Sequence, residues 1–248
     1  MRQFGLIGKT LSYSYSKQIF ERQFPDGNAF RYDLFELADL SQLDACLKAN
    51  PDLEGFNVTI PYKQELLPYL DTLSPEAQET GAVNVVKVVR RGSDYSLSGY
   101  NTDARGFLRS LEGVILPENA LIFGTGGAAA AVAFALRKSG VNYHFVSRKE
   151  GKNLLTYDAL TEDIIRQNLL LINCTPVGTA NTSLEGVSLW DRIPAKSAVT
   201  ERHFLYDLVY NPEETLFLQE GRVQGVKVQN GLKMLQLQAE ESWKIWGL

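Results

Sequence analysis

A glycine-rich turn near the middle of the chain is the segment whose residue types and spacing point most directly to chemistry. Gly124, Gly126 and Ala129 stand between a short apolar run and an alanine-rich segment. In this pattern the first glycine permits a tight turn, the second lets the backbone approach a pyrophosphate, and the small third residue allows helix and strand to pack closely. Free N–H groups at the helix start favour phosphates. We interpret the turn as a dinucleotide-binding loop rather than a purely structural glycine turn.

The residues after the next apolar run indicate which dinucleotide binds. A cofactor without a 2′-phosphate usually meets an acidic residue about twenty positions after the glycines. Ser147, Arg148 and Lys149 occupy this region instead. A guanidinium beside an ammonium suits a phosphate, so the sequence favours NADP (as NADPH) over NAD. The alternative is a solvated basic loop.

A strand–turn–helix–strand unit must position these groups. Apolar runs at 120–123 and 143–146 flank a helical segment that ends at Gly140, which is the order expected for the first half of a dinucleotide-binding fold. Further buried strands are predicted from the apolar runs at 169–173, 204–209 and 223–228. The polar loop 175–179 should then lie beside the cofactor, at the carboxyl edge of the sheet.

Polar residues also stand at predicted strand ends in the first hundred residues. Hydroxyl residues within 10–16 follow a strand at 3–7, and they can line a polar pocket or cap the next helix. Lys63 stands at a strand-to-helix junction, the edge where open α/β sheets bind ligands. Taken alone it fits a surface lysine better. Asn84, inside an apolar run, satisfies a buried backbone group or faces a ligand, and Asp103 fits a helix N-cap.

Composition restricts the class of protein. The chain has 248 residues, room for one large domain or two small ones, with 44% apolar and 22% charged residues and a net charge of −4. This charge argues against a nucleic-acid partner and for a small-molecule one. The two cysteines and two histidines show no metal-ligand spacing, and they predict no disulfide and a reducing, cytoplasmic location. No signal peptide or membrane span is expected.

Seven sequence blocks in consistent order resemble the shikimate dehydrogenase family. Together they extend along the whole chain, which makes the set far more specific than any one block. The blocks are N-V-T-I-P-Y-K at 57–63, G-A-V-N at 81–84, N-T-D-A-R-G-F at 101–107, the G-T-G-G-A turn at 124–128, I-N-C-T-P-V-G-T at 172–179, Y-D-L-V-Y-N-P at 206–212 and N-G-L-K-M-L-Q-L-Q-A at 230–239.

The resemblance implies an α/β protein of two domains that reduces 3-dehydroshikimate to shikimate with NADPH. This reaction is a step of chorismate and aromatic amino-acid biosynthesis. One domain, an α/β substrate domain with a mainly parallel sheet, would comprise residues 1–101 and about 229–248. A Rossmann-like NADP-binding domain would comprise 102–228. We expect a monomer or a homodimer.

The resemblance also implies roles for particular residues. Lys63 and Asp103 match the family's catalytic pair, and both also contact substrate. The other substrate-binding positions are Ser14 and Ser16 for the carboxylate, with Thr59, Asn84, Tyr210 and Gln238. The cofactor positions are Gly124, Thr125, Gly126, Gly127, Ala128, Ser147, Arg148, Lys149, Thr175 and Gly231, the last at the nicotinamide end.

Some positions depart from the family's usual pattern. Thr10 and Lys17 replace prolines of the first block and Tyr13 replaces a histidine, although both serines are kept. Ser147 and Lys149 flank Arg148 where Asn and Thr are usual, and Thr179 replaces a common methionine. Two alternatives follow: a quinate/shikimate dehydrogenase that uses NAD or both cofactors, and a regulator that binds nucleotide and metabolite without turnover. A methylenetetrahydrofolate dehydrogenase fits these blocks poorly.

Overall fold

Two compact units make up the chain in the computed structural model, which describes residues 1–11, 14–27, 29–92, 94–152 and 154–248. The first unit comprises Met1–Gly106 and Leu235–Leu248, and the second comprises Phe107–Met234. The boundaries predicted from the sequence lie a few residues before these divisions. Each unit contains a mainly parallel sheet with helices, which confirms the predicted α/β fold class.

A six-stranded sheet forms the centre of the first unit. Its strands are β1 (Arg2–Gly8), β2 (Phe30–Glu36), β3 (Leu53–Val58), β4 (Thr72–Leu73), β5 (Val85–Arg91) and β6 (Asp94–Tyr100). The order is β2-β1-β3-β5-β6-β4, in which β1, β2 and β3 run parallel and β5 and β6 form an antiparallel hairpin beside β3. Phe4, Ile7, Leu53 and Phe56 are fully buried, because apolar side chains of β1 and β3 face the core on both sides of the sheet.

The second unit contains a fully parallel sheet. Its strands are β7 (Asn119–Phe123), β8 (Asn142–Ser147), β9 (Leu154–Thr156), β10 (Leu170–Asn173), β11 (Phe204–Asp207) and β12 (Lys227–Gln229). They lie in the order β12-β11-β10-β7-β8-β9. The order reverses at β7, where the chain runs outward first through β8 and later through β10. In open α/β sheets ligands bind at the carboxyl ends of the strands beside such a reversal.

Helices connect the strands in both units. They are α1 (Tyr15–Gln23), α2 (Leu43–Ala49), α3 (Tyr62–Glu65), α4 (Pro75–Thr80), α5 (Asp103–Ser110), α6 (Gly127–Lys138), α7 (Glu162–Gln167), α8 (Leu216–Val223) and α9 (Leu232–Trp246), with short 3-10 helices at Leu40–Gln42, Leu67–Tyr69, Tyr157–Ala159, Leu189–Arg192 and Lys196–Ala198. None in the described ranges is both long and apolar enough to cross a membrane. The chain passes from the first unit to the second within α5 and returns within α9.

The prediction of a strand over 223–228 is wrong for the first half of that range. Val223 ends α8, and the strand β12 begins only at Lys227. Gly225 adopts a φ of 77°, which is the left-handed conformation that closes many helices. The apolar run therefore includes a helix end, a turn and a strand, and hydrophobicity alone does not separate the three.

Candidate active site

Lys63 and Asp103 form an ion pair in the first unit. Lys63 lies in α3, just after the turn that follows β3, and Asp103 is the first residue of α5. Lys63 Nζ lies 2.5 Å from Asp103 Oδ2, and the two side chains are 18% and 7% exposed. Partial shielding from water strengthens their attraction and holds the ammonium in place. An ammonium so placed can stabilise and protonate an oxygen that develops negative charge.

Asn84 links this ion pair to a buried set of polar side chains. Its Nδ2 lies 2.9 Å from Asp103 Oδ1, 2.9 Å from Thr102 Oγ1 and 3.1 Å from Gln238 Oε1. Its Oδ1 accepts a hydrogen bond from the Thr102 N–H at 2.7 Å. The structure therefore brings Lys63, Asp103, Asn84 and Gln238 together, although α9 supplies Gln238 from the far end of the chain.

Thr59 lies at the same end of the sheet as the first loop. Its N–H donates to the Ile7 carbonyl at 3.0 Å, and its carbonyl accepts from Tyr62 at 2.9 Å. A Cβ on Gly8 would lie 2.7 Å from the Thr59 methyl group, so β1 approaches Thr59 closely only because residue 8 is glycine. Thr59 is half-buried beside the carboxyl end of β1.

The two serines of the first loop are half-buried at the start of α1. Ser14 is the N-cap, and its Oγ accepts from the Lys17 N–H at 3.3 Å. The hydroxyl hydrogen remains available to a ligand, so capping and carboxylate binding are compatible. Of the departures from the family pattern, Thr10 is exposed and Lys17 pairs with Glu21 at 3.7 Å. Tyr13 lies outside the described residues.

The glycine turn of the second unit has the geometry that a dinucleotide requires. Gly124 adopts a φ of 110°, and its N–H donates to the Val146 carbonyl at 2.9 Å. Gly126 is the N-cap of α6, and a Cβ there would have no atom within 4 Å. The space above the helix start is thus open, and Thr125 beside it is exposed. Gly127 and Ala128 form the first turn of α6, whose N–H groups have no partner within the helix.

Basic side chains surround the end of β8. Ser147 ends the strand and accepts from the Lys149 N–H at 3.2 Å, while Arg148 and Lys149 are exposed. Burial raises the pKa of Tyr157, and the nearby guanidinium groups of Arg192 and Arg148 oppose that rise. Arg192 is therefore a further cation close to this loop. Sequence reasoning missed it because no local pattern connects a 3-10 helix at 189–192 with residue 148.

Thr175, Tyr210 and Gly231 follow the carboxyl ends of β10, β11 and β12. The N–H and hydroxyl of Thr175 both donate to Asn173 Oδ1, at 3.0 and 2.6 Å. Gly231 is buried and donates to the Val209 carbonyl at 3.2 Å, and the Leu208 carbonyl occupies the space that a Cβ would need. Tyr210 is half-buried. Burial raises the pKa of the neighbouring Cys174 thiol well above its usual value, which keeps the thiol protonated and unreactive.

Three residues that were not identified from the sequence support the loops and side chains described above. Glu36 accepts from the Leu11 N–H at 2.5 Å and so anchors the first loop. Thr102 lies inside the Asn84 cluster. Asp207 is fully buried at the end of β11. The sequence did contain a signal for Asp207, because a carboxylate residue stands there at the end of an apolar run. Among the described residues, no three His, Cys, Asp or Glu side chains are placed to hold a metal ion.

Comparison with known proteins gives consistent matches. The family model described as the shikimate dehydrogenase substrate binding domain matches residues 6–86. A shikimate dehydrogenase (NADP(+)) of Caldicellulosiruptor saccharolyticus is 34% identical, over 99% of this chain and 92% of the relative. The crystal structure of shikimate dehydrogenase 1 from Peptoclostridium difficile is 36% identical, with a TM-score of 0.81 over 100% of this chain and 92% of that one. The Thermus thermophilus enzyme in complex with NADP(H) and shikimate is 33% identical, with a TM-score of 0.81 over 100% and 94%.

Proposed function

The chain belongs to the shikimate dehydrogenase family, and we propose that it catalyses the reversible, NADP-dependent reduction of 3-dehydroshikimate to shikimate. It is thus an oxidoreductase of chorismate and aromatic amino-acid biosynthesis. The observation that carries the proposal is the ion pair between Lys63 and Asp103, which borders the buried cluster of Asn84 and Gln238. A keto acid that carries hydroxyl groups matches this mixture of ammonium, carboxylate and amides.

Lys63 supplies the proton for the reduction. NADPH, when bound, supplies the hydride. As the ketone oxygen gains negative charge, the Lys63 ammonium stabilises it and then donates a proton to it. In the reverse direction the amine of Lys63 takes the proton from the substrate hydroxyl. Asp103 orients Lys63 through Oδ2 and can accept a hydrogen bond from a neighbouring hydroxyl of the substrate.

The remaining polar residues of the first unit bind the substrate. Ser14 and Ser16 bind the carboxylate through their hydroxyls. Helix α1 starts at this point, and its first N–H groups add positive potential that favours an anion. Asn84 and Gln238 hold the ring hydroxyls together with Thr59. Tyr210 is retained as a proposed substrate-binding residue on the strength of the resemblance alone.

NADP binds to the second unit. The turn 124–128 would hold the diphosphate, because glycines keep the backbone open there and the start of α6 presents N–H groups. Arg148 binds the 2′-phosphate with Lys149 and Ser147. Thr175 and Gly231 contact the nicotinamide end. The fit is favourable at the diphosphate end, since the space over Gly126 is open.

The proposal also includes a cellular location and an oligomeric state. We place it in the cytoplasm, where thiols such as those of Cys46 and Cys174 stay reduced. The proposed state is a monomer or a homodimer, which light scattering after size-exclusion chromatography distinguishes.

The experiment that tests the function is an absorbance assay at the nicotinamide band. Purified protein is mixed with shikimate and NADP⁺, and the assay is repeated with NAD⁺ and with quinate. We expect strong turnover only with shikimate and NADP⁺. Comparable turnover with NAD⁺ or quinate would indicate the enzyme of broader specificity. Binding of both ligands without turnover would contradict the proposal and favour a regulatory role.

A further inference from the structure

A carboxylate without a cationic partner is buried at the carboxyl end of β11. Asp207 is 0% exposed, and none of the ion pairs among the described residues includes it. Its Oδ1 accepts from Asn173 Nδ2 and from the Val209 N–H, both at 2.9 Å, and its Oδ2 accepts from the Thr215 hydroxyl at 2.6 Å. Burying a carboxyl group in this way is costly, so a role beyond filling space is expected.

The Asn173 side chain connects Asp207 to the loop after β10 through hydrogen bonds. Its Nδ2 donates to Asp207 and also lies 3.3 Å from the Val177 carbonyl. Its Oδ1 accepts both hydrogen bonds from Thr175. The orientation of the Asn173 amide therefore decides where Thr175 lies, and Asp207 sets that orientation because an acceptor must face Nδ2.

The backbone of Val209 connects Asp207 to Gly231 through hydrogen bonds. The Val209 N–H donates to Asp207, and the Val209 carbonyl accepts from the Gly231 N–H. Gly231 lies directly against the Leu208 carbonyl, with no space for a side chain between them. A shift of the backbone at 208–209 would therefore move Gly231 as well.

Thr215 provides the third contact and fixes the far end of the loop after β11. Its hydroxyl donates to Asp207 Oδ2 and accepts from the Leu218 N–H at 3.4 Å, which makes it the N-cap of α8. The loop from 208 to 215 is thus held at both ends by one carboxyl group. Three donors converge on it, and a carboxyl group has the acceptor capacity for all three, two on Oδ1 and one on Oδ2.

We propose that Asp207 is a positioning residue for the nicotinamide end of the cofactor, because its carboxylate ties the loop that carries Thr175 to the backbone that supports Gly231. This inference rests on the proposed function, which assigns Thr175 and Gly231 to NADP. Asp207 does not itself contact the cofactor. It keeps three strand-end segments in register, so that the groups at the nicotinamide are placed before the cofactor binds.

The test compares two buried residues at opposite ends of β11. Asp207→Asn keeps the shape of the side chain but presents an amide hydrogen to one of the three donors. His203→Gln is the control, because His203 is 2% exposed just before β11 and contacts the Ile165 carbonyl at 3.1 Å, far along the strand from Thr175. We expect Asp207→Asn to lower kcat/KM for NADPH about ten- to one-hundred-fold and to raise KM for 3-dehydroshikimate by a smaller factor, because Tyr210 lies in the loop that Asp207 holds. His203→Gln should lower the urea midpoint and leave both constants unchanged.

A second pair of variants applies if Asp207→Asn fails to fold. Thr215→Val removes one donor to the carboxylate, whereas Thr215→Ser retains it. We expect the valine variant to weaken NADPH use and the serine variant to restore it. Wild-type constants in folded Asp207→Asn, or equal losses in Asp207→Asn and His203→Gln, would overturn the proposal.

Direct binding separates this inference from the proposed function. NADPH is titrated by its fluorescence, which requires no substrate turnover. If the wild type binds NADPH without oxidising shikimate, the proposed function fails, and weaker binding by Asp207→Asn still supports positioning. If the wild type turns over shikimate and both proteins bind and use NADPH equally, positioning fails and the function stands.

Discussion

Asp103 has the capacity to accept two more hydrogen bonds than the surrounding described side chains supply. Each carboxylate oxygen can accept two hydrogen bonds. Among the described residues, Lys63 donates to Oδ2 and the Asn84 side chain to Oδ1. Thr102 can donate to Gln238 at 3.3 Å, which relieves the competition for the two hydrogens of Asn84. A substrate hydroxyl that donates to Asp103 therefore adds a contact without displacing Lys63.

Replacing Lys63 tests this arrangement. In Lys63→Ala the proton donor and the positive charge disappear, so stabilisation of the developing alkoxide is lost. We expect kcat to fall by about a hundred-fold or more, since general acid catalysis typically contributes that much, with a much smaller change in KM. Steady-state kinetics with 3-dehydroshikimate and NADPH measure both constants. A change confined to KM would limit Lys63 to substrate binding.

Replacing Arg148 tests the choice of cofactor. Its exposed guanidinium follows β8 and can pair with the 2′-phosphate that distinguishes NADP from NAD. We expect Arg148→Ala to raise KM for NADPH about ten-fold or more, in line with the loss of a charge-assisted hydrogen bond, and to leave KM for NADH unchanged. Arg202→Ala, an exposed arginine before β11, serves as the control. Equal losses with both cofactors would show that Arg148 does not recognise the phosphate.

Helix α9 brings the C-terminus onto the sheet of the first unit. Trp246 Nε1 donates to the Val86 carbonyl at 3.0 Å, and its ring stacks on Phe4 with centroids 4.8 Å apart. The indole also lies directly on Gly55 of β3. The resemblance implied that about 229–248 belongs to the first domain, but the contact with Gly55 depends on strand register that the sequence does not specify.

Gly55→Ala tests the packing of α9. The added methyl group overlaps the Trp246 indole, so the helix must shift or the ring must rotate. We expect a loss of about 1–3 kcal/mol in the free energy of unfolding and a raised KM for shikimate, because α9 also carries Gln238. Urea denaturation and kinetics measure the two effects. Gly27→Ala, where a Cβ meets nothing within 4 Å, should change neither. An unchanged Gly55→Ala would indicate that α9 packs less tightly.

At the scale of the whole molecule, the sequence predicted the family, the cofactor class and the α/β fold correctly, and the comparisons confirmed them. These conclusions depended on local blocks, in which glycines and buried strands are recognisable. Contacts between residues that lie far apart in the sequence were harder to predict. Lys63 and Asp103 are 40 positions apart, and only the resemblance paired them. Asp207 stood inside a recognised block, yet its role depends on three loops that meet only after folding.

The buried carboxyl group of Asp207 also predicts how stability varies with pH. Burial raises its pKa to about 7, against the effect of its three hydrogen bonds, while the ordinary value is 3.8. Between these values the folded protein retains a proton that the unfolded chain has released. The contribution of Asp207 to stability is therefore highest at low pH and falls as pH rises toward 7, by up to about 1.4 kcal/mol per pH unit. Above pH 8 its contribution is constant.

Comparison with Asp207→Asn isolates this group, because other titrations cancel in the difference. We expect the free energy of unfolding of the wild type, minus that of the variant, to fall by about 2–3 kcal/mol between pH 5 and pH 8. Urea denaturation at pH 5, 6, 7 and 8 measures it. The Cys174 thiol beside Asp207 does not interfere, since burial raises its pKa well above the usual value. A difference that increases with pH would mean that Asp207 is ionised throughout, with its hydrogen bonds outweighing its burial.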